Sequence, residues 1–165
     1  MKLLNNNSLK IRRRIESTLL VFMVCLILSG VTAFPIESQL GLATRWIEQL
    51  AYDTPFTRWI GLVYQGVRET NLKFPFIAYG TDWLAFAHLV IAVAFIGPLR
   101  DPRRNIWVVE FGMIACLAVL PMAFIAGEVR EIPFFWRLID CMFGLVGGLA
   151  LWRCHRDIKQ LERIS

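Results

Sequence analysis

Residues 82–97 read DWLAFAHLVIAVAFIG, and this almost wholly apolar stretch decides the fold. A bilayer with a hydrocarbon core about 30 Å thick is crossed by about 20 apolar residues in a helix. Three further segments come near that length, and together the predicted spans cover about residues 18–34, 79–97, 106–126 and 134–153. The sequence therefore predicts an all-α polytopic membrane bundle with four transmembrane helices, in a single membrane domain over residues 1–165.

The composition agrees with a membrane protein. Hydrophobic residues make up 56% of the 165 residues, and the mean hydropathy is +0.53, which is too apolar for an ordinary soluble domain. Three of the four cysteines fall inside predicted spans and Cys154 sits at the end of the last, so no disulfide framework is expected. Because no CxxC motif or Cys/His cluster is present, we predict neither a metal site nor a bound cofactor.

The basic residues carry a topology signal. Twelve of the 18 lysines and arginines fall on one side if the chain crosses four times. These twelve are Lys2, Lys10, Arg12, Arg13, Arg14, Arg100, Arg103, Arg104, Arg153, Arg156, Lys159 and Arg163. The positive-inside rule then places both termini in the cytoplasm. The net charge of +5 is thus explained by topology and by contact with membrane lipids, and no nucleic-acid partner is expected.

The first span has two interpretations. A basic beginning, an apolar stretch over residues 19–28 and the sequence Val31-Thr32-Ala33 resemble a cleavable signal peptide. We favour a retained anchor, because Phe34-Pro35 continues smoothly into a segment with helical patterning. Cleavage would leave three spans and would not change the orientation of the others.

An amphipathic segment over about residues 36–71 separates the first two spans. Thr54 suits the N-cap of a helix and Pro55 its first position. Apolar residues recur at helical spacing on both sides of this point. The pattern predicts one or two amphipathic helices on the outer face, which either pack on the spans of this chain or contact a partner or the lipid surface.

Two ionisable residues lie deep in predicted spans, where a charge costs a few kcal/mol or more. His88 is about 13 Å along its helix from Tyr79, and Asp140 is about 9 Å into its own span. If these spans pack together, Asp140 could orient the imidazole, and the two become candidate catalytic residues. The alternative is that both residues are structural. His88 would then make an interhelical hydrogen bond, and Asp140 would pair with Arg137 at position i−3.

Two other acids lie nearer the ends of spans. Asp82 is a further catalytic candidate, although a carboxylate in the first turn of its helix also suits the helix dipole. Glu110 lies near the cytoplasmic end of the third span. Its simplest partner is the arginine turn formed by Arg100, Arg103 and Arg104, which could also bind a lipid phosphate.

Near the outer end of the last two spans, a group of charges forms a mixed rim. It consists of Glu128, Arg130, Glu131 and Arg137, and we predict either an anion-binding site or a solvated structural rim. Within the fourth span, glycines share one helix face: Gly144, Gly147 and Gly148. Such small residues favour close helix packing, and we expect this face to contact another span, a protein partner or a second copy of the chain.

Three stretches carry a resemblance to known proteins. Residues 79–88 (YGTDWLAFAH), 99–105 (LRDPRRN) and 135–141 (FWRLIDC) look like an uncharacterised family of small four-span bacterial inner-membrane proteins. The resemblance covers about the C-terminal half and implies no known activity. A weaker similarity is to the VanZ-like family, in which an Asp and a His open the second span and an Asp precedes small residues in the last.

These observations favour a non-catalytic function. We expect a multi-pass protein of the bacterial inner membrane, acting as an accessory or assembly subunit or in envelope maintenance. The alternative is a membrane-embedded enzyme or proton-coupled binder that acts on a lipid or other anionic substrate through His88 and Asp140, with Arg130 or Arg137 holding the anionic group.

Overall fold

The computed structural model describes residues 6–51 and 53–164, which are helical and contain no strand. The helices are α1 (Asn6–Ala33), α2 (Ile36–Leu50), α3 (Pro55–Lys73), a 3₁₀ turn (Pro75–Ile77), α4 (Ala78–Ala94), α5 (Ile96–Arg100), α6 (Ile106–Val129) and α7 (Phe134–Arg163). Four stretches are long and apolar enough to cross a membrane: Asn6–Ala33, Pro75–Arg100, Ile106–Val129 and Phe134–Arg163. The predicted all-α membrane fold with four spans is therefore confirmed. Lys2, one of the basic residues in the topology argument, lies outside the described residues.

The chain divides into two compact units, although its sequence predicts a single membrane domain. The central unit comprises Leu26–Ile91. The terminal unit comprises the described residues up to Cys25 and those from Ala92 onward. The boundaries between the units fall inside α1 and α4 rather than in a loop. Hydropathy detects each of these helices as one continuous span, so it does not indicate the boundaries.

In the terminal unit, α6 and α7 run antiparallel in close contact. A Cβ atom added at Gly144 would lie only 2.6 Å from the carbonyl oxygen of Cys116, and one at Gly112 would lie 2.7 Å from the side chain of Leu151. At Gly144 the backbones of α6 and α7 therefore approach each other directly, and at Gly112 the side chain of Leu151 packs over the glycine and leaves no room for another side chain. Small residues allow such an approach and the dispersion contacts that come with it.

The first half of α1 also belongs to the terminal unit. Ile11, Ile15 and Leu19 recur every four residues and are at most 3% exposed, so they form one buried stripe. The rings of Phe22 and Phe95 continue the contact, with their centroids 4.9 Å apart. Because of this stripe, α1 begins twelve residues before the predicted span at residue 18 and includes the basic segment.

A proline interrupts the second predicted span. The sequence predicts one helix over residues 79–97, but α4 ends at Ala94 and the short α5 follows. Pro98 has no N–H to donate to the carbonyl of Ala94, and its ring would clash with that group in a regular helix. The turn that follows is held by the side chain of Asn105, whose Nδ2 donates to the carbonyl oxygens of Gly97 at 3.1 Å and Asp101 at 3.0 Å.

In the central unit, the predicted amphipathic segment forms two helices, α2 and α3, which pack as an antiparallel hairpin. The prediction of Thr54 as N-cap is confirmed: its hydroxyl accepts from the backbone N–H of Thr57 at 3.1 Å, and the hydroxyl of Thr57 accepts from the backbone N–H of Thr54 at 2.9 Å. The two helices meet where Gly41 lies against the ring of Tyr64. Elsewhere in this unit, α1 and α4 approach closely at Gly30, where an added Cβ would lie 2.8 Å from the carbonyl oxygen of Ala85.

Candidate functional site

A pocket of about 460 Å³ lies in the central unit between the start of α2, the end of α3 and the start of α4. Six polar residues line it: Glu37, Ser38, Thr70, Asn71, Thr81 and Asp82. Apolar residues from the end of α1 and from the segment before α4 complete its wall. We call this the polar pocket. Its lining of polar groups within a mostly apolar wall is typical of ligand sites.

The antiparallel hairpin builds one side of the polar pocket. Glu37 stands in the first turn of α2, where a carboxylate is favoured by the positive end of the helix dipole. Asn71, near the end of α3, donates from Nδ2 to a carboxylate oxygen of Glu37 at 2.7 Å. This bond fixes the orientation of the carboxylate. Its remaining lone pairs can accept hydrogen bonds from a ligand.

Asp82 supplies the second carboxylate of the polar pocket, and its predicted position in its helix is wrong. The sequence places Asp82 in the first turn, where it would favour the helix dipole. The 3₁₀ turn leads directly into α4 at Ala78, so Asp82 falls beyond the first turn. It lines the pocket together with Glu37. Two carboxylates, an amide and hydroxyls can bind an ammonium, guanidinium or hydroxyl-bearing group.

Sequence reasoning missed Glu37 and Asn71 as site residues. They are 34 positions apart, and neither stands inside an apolar span, where polar residues are conspicuous. A signal was nevertheless present in the chain. An antiparallel hairpin built from the predicted segment 36–71 places the first residues of one helix beside the last residues of the other.

His88 is half-buried in α4 and belongs to the central unit. Its Nδ1 lies 2.8 Å from the carbonyl oxygen of Leu84, one turn earlier in the same helix. Because a carbonyl only accepts, Nδ1 is the donor in this hydrogen bond. The interhelical hydrogen bond predicted for His88 is thus replaced by one within α4.

Asp140 is half-buried in α7 and belongs to the terminal unit. Its predicted partner, Arg137, is engaged elsewhere: the guanidinium pairs with Glu128, and Nε donates to the carbonyl oxygen of Ile132 at 2.7 Å. Within the described part of its own unit, Asp140 makes no hydrogen bond or ion pair. The pairing of His88 with Asp140 stays a prediction.

The mixed rim at the α6–α7 turn contains one strongly held arginine. The side chain of Arg137 is only 12% exposed and lies over Gly127, where an added Cβ would be 2.9 Å from its Cδ. Glu131 has a left-handed backbone with a φ of 55°, which closes the turn, and Arg130 stands at the C-cap of α6. The structure therefore uses Arg137 to tie the turn together, which leaves Arg130 as the rim cation available to an anion.

The hydrogen-bond partners at the arginine turn differ from those predicted. Glu110 pairs with His155 of α7, whose Nε2 lies 3.1 Å from the carboxylate, and not with the arginines. Arg103 donates to the carbonyl oxygen of Leu161 at 2.7 Å, so it caps the end of α7. A second arginine of the turn, Arg104, has its backbone N–H bonded to the carboxylate of Asp101 at 3.1 Å.

The glycine face of α7 lies against α6 of the same chain. Gly144 meets the backbone of Cys116. Gly147 faces the Cys116 sulfur, with its added Cβ at 3.1 Å, and Gly148 faces the Cys116 side chain at 3.4 Å. The small residues thus serve packing inside the terminal unit. A protein partner or second copy on this face would have to compete with α6.

In residues 6–51 and 53–164, no group of three or more His, Cys, Asp or Glu side chains is placed to hold a metal ion. The four cysteines are free thiols. Comparison with known proteins finds no matching family model, no matching curated protein and no matching solved structure. The resemblances noted in the sequence therefore stay predictions.

Proposed function

We propose that this chain is a multi-pass protein of the bacterial inner membrane that acts without catalysis, as an accessory or assembly subunit or in envelope maintenance. Both termini lie in the cytoplasm, which follows from the placement of the basic residues by the positive-inside rule. The hairpin of α2 and α3 then faces the periplasm. This is also the kind of protein that the resemblance to small four-span bacterial membrane proteins implies.

The polar pocket is the observation that carries the proposal. Half of its lining residues come from α2 and α3, which are amphipathic and stand outside the four spans, and the rest come from the adjoining ends of α1 and α4 and the segments beside them. Large apolar side chains on this hairpin are exposed, among them Leu42, Trp46 and Leu72. An apolar surface beside a polar recess is the arrangement of a docking surface, in which a few polar contacts fix orientation.

The chemistry of the polar pocket favours a positively charged group on the partner. Glu37 and Asp82 bring two carboxylates to one recess, and no lysine or arginine of the described residues lines it. A lysine or arginine side chain of a membrane-protein partner would pair with them, and charge-assisted hydrogen bonds of this type are the stronger ones. The partner's neighbouring apolar surface would cover the exposed face of the hairpin.

Filling the pocket tests this proposal. Gly66 lines the pocket and a Cβ added there meets no described atom within 4 Å, so Gly66→Leu adds a side chain at the recess whose Cβ has no clash. Gly61 on the same helix is equally open and does not line the pocket, which makes Gly61→Leu the matched control. Each tagged variant is purified from membranes in mild detergent, and bound proteins are identified and quantified by mass spectrometry.

We expect a stoichiometric partner with wild type and Gly61→Leu, and its loss with Gly66→Leu and with the double variant Glu37→Gln/Asp82→Asn. Far-UV circular dichroism verifies that all variants remain helical. A partner that binds every variant equally does not use the pocket and contradicts the proposal. A chain that purifies alone in all cases also contradicts it.

The half-buried, unpaired carboxyl of Asp140 favours a second candidate function. Ionisable groups inside spans commonly mark substrate or proton pathways. The alternative is a membrane-embedded enzyme or proton-coupled binder, in which His88 and Asp140 handle a proton and Arg130 holds a lipid or other anionic substrate. It predicts that His88→Ala and Asp140→Asn stay folded yet fail to complement a deletion strain, whereas Gly66→Leu complements it. The opposite pattern favours the accessory subunit.

A further inference from the structure

A groove rich in arginine lies in the terminal unit, between the first half of α1 and the last turns of α7. Its volume is about 1110 Å³. Six basic side chains line it: Arg13 and Arg14 from α1, and Arg153, Arg156, Lys159 and Arg163 from α7. We call it the basic groove. It is distinct from the arginine turn in which the sequence predicts a lipid phosphate.

The positive charge of the basic groove is mostly uncompensated. Two of the six cations are paired: Arg14 with Asp157 of the lining at 2.6 Å, and Lys159 with Glu162 at 3.3 Å. Three exposed arginines form no ion pair or hydrogen bond with any residue the structure describes: Arg13, Arg153 and Arg163. Three unpaired guanidinium groups around one groove favour a multiply charged anion, because each can bind two phosphate oxygens at once.

The lengths of the helices place the basic groove at the level of the lipid headgroups. Helix α7 has 30 residues and α1 has 28, so each is more than 40 Å long, whereas the hydrocarbon core is about 30 Å thick. The surplus turns extend beyond the core at the end that carries the arginines. Trp152, a residue type enriched at membrane interfaces, stands one turn before Arg156, and the guanidinium lies 5.0 Å from its ring centre.

Apolar side chains continue from the basic groove toward the bilayer. On α1, Val21 and Val24 follow the groove residues at helical spacing and are more than half exposed. On α7, Leu149 and Leu145 precede the groove in the same way, and both are exposed. A ligand with phosphates in the groove can therefore lay acyl chains along these two rows.

We propose that the basic groove binds one anionic phospholipid that carries two phosphate groups. The phosphates contact Arg13, Arg153 and Arg163, with Arg156 beside them, and the acyl chains lie along the apolar rows of α1 and α7. The groove is large enough for a double headgroup. The proposal requires only that the helices cross a membrane, and it is independent of the polar pocket and its partner.

Native mass spectrometry of the full-length protein in detergent tests the site. The probes are a diphosphatidylglycerol, which has two phosphates, a phosphatidylglycerol, which has one, and a neutral phosphatidylcholine. Soluble pyrophosphate is the fourth probe, because it separates lipid binding from binding of a free diphosphate. We expect one tightly bound diphosphatidylglycerol, weaker phosphatidylglycerol and no specific signal from the other two.

Charge removal locates the binding. A basic residue near an anionic membrane surface strengthens binding by about fivefold, so R13Q/R153Q/R163Q is expected to weaken diphosphatidylglycerol binding by roughly 100-fold. The control R45Q/R58Q/R68Q removes the same charge from α2 and α3 and should change it by less than about twofold. Asp157→Asn releases Arg14 and is expected to tighten binding by about fivefold.

Several outcomes would overturn the proposal. An equal loss in both triple variants would mean that net charge alone attracts the lipid. Equal affinity for the one-phosphate lipid would remove the requirement for two phosphates, and tight binding of pyrophosphate would identify a soluble ligand. If R13Q/R153Q/R163Q loses helicity, R13K/R153K/R163K is measured in its place. This variant keeps the positive charges but loses the forked geometry of the guanidinium groups. Loss of lipid binding by this variant with retained folding supports direct arginine contacts.

Discussion

Two helix surfaces of this chain use glycine in opposite ways: the contact of α6 with α7 in the terminal unit, and the open face of α3 in the central unit. In the terminal unit, Gly112 and Gly144 lie where an added Cβ would stand within 2.7 Å of a neighbouring atom. On α3 of the central unit, a Cβ added at Gly61 or Gly66 would have no described atom within 4 Å. The first pair permits helices to touch, and the second leaves open space on a helix surface. Stability should therefore depend strongly on the contact of α6 with α7, whereas the open surface of the hairpin is available for recognition of a protein partner.

The same contrast extends to buried side chains. The terminal unit contains a fully buried series that includes Ile15, Leu151 and Ile158, each at most 1% exposed. The hairpin contributes Ile60, at 9% exposed, while Leu42 and Leu62 are more than half exposed. Exposed here means accessible to lipid or water. A surface left uncovered by the chain itself is where a partner or a lipid finds area to bury.

The largest difference between the units is expected from truncating a buried core residue. Ile15→Ala should lower the free energy of unfolding by about 2–5 kcal/mol, because it removes buried contacts and leaves a cavity. Leu42→Ala in the hairpin should lower it by less than about 1 kcal/mol. Titration with sodium dodecyl sulfate, followed by circular dichroism, measures both. Equal losses of stability in the two variants would contradict the contrast. A small loss for Ile15→Ala would mean that the start of α1 does not belong to the packed core.

The next effect is expected from overfilling the glycine contact. Gly144→Leu forces a side chain against the Cys116 backbone and should cost about 1–3 kcal/mol or more. Gly61→Leu meets open space and gains helix propensity, so it should be neutral or slightly stabilising. The same titration with sodium dodecyl sulfate measures both variants. A tolerated Gly144→Leu would mean that α6 and α7 can separate without loss, and this face would then be open to a second copy.

Much of this fold could be predicted from the sequence, because apolar length and charge placement are read directly along the chain. The spans, the Thr54 cap and the amphipathic helices follow from such local signals. The break at Ala94 also had a local cause in Pro98, but the hydropathy of the segment concealed it. Helix α1 extended beyond its predicted start because the stripe of Ile11, Ile15 and Leu19 is amphipathic rather than wholly apolar.

The candidate sites were harder to predict because they depend on residues far apart in the chain. Glu37 and Asn71 meet only once α2 and α3 pair, and the basic groove forms only when α1 meets α7. His88 and Asp140 were conspicuous because an ionisable side chain inside a span costs free energy, yet that cost does not identify their partners. Arg137 illustrates this point: its spacing suggested Asp140, whereas the turn geometry assigns it to Glu128 and a backbone carbonyl.

A moderate effect is expected from removing that arginine. Arg137→Met keeps much of the side-chain volume over Gly127 but leaves the Ile132 carbonyl without its donor. It should lower the free energy of unfolding by about 1–2 kcal/mol, since the side chain is only 12% exposed. Glu128→Gln separates the contributions: its carboxylate is 78% exposed, so its loss should cost clearly less. If both cost the same, the ion pair rather than the backbone contact stabilises the turn.

The smallest effect is expected from the ion pair of the hairpin. Arg58 pairs with Asp53 at 3.2 Å, and both side chains are more than two-thirds exposed. Exposed pairs contribute about 0.2–1 kcal/mol and are screened by salt, so Asp53→Asn should change stability by less than about 1 kcal/mol. Unfolding titrations at low and high sodium chloride measure this difference, which should shrink with salt. A larger loss of stability that does not depend on salt would show that Asp53 fixes the connection between α2 and α3. The hairpin would then be as well packed as the terminal unit.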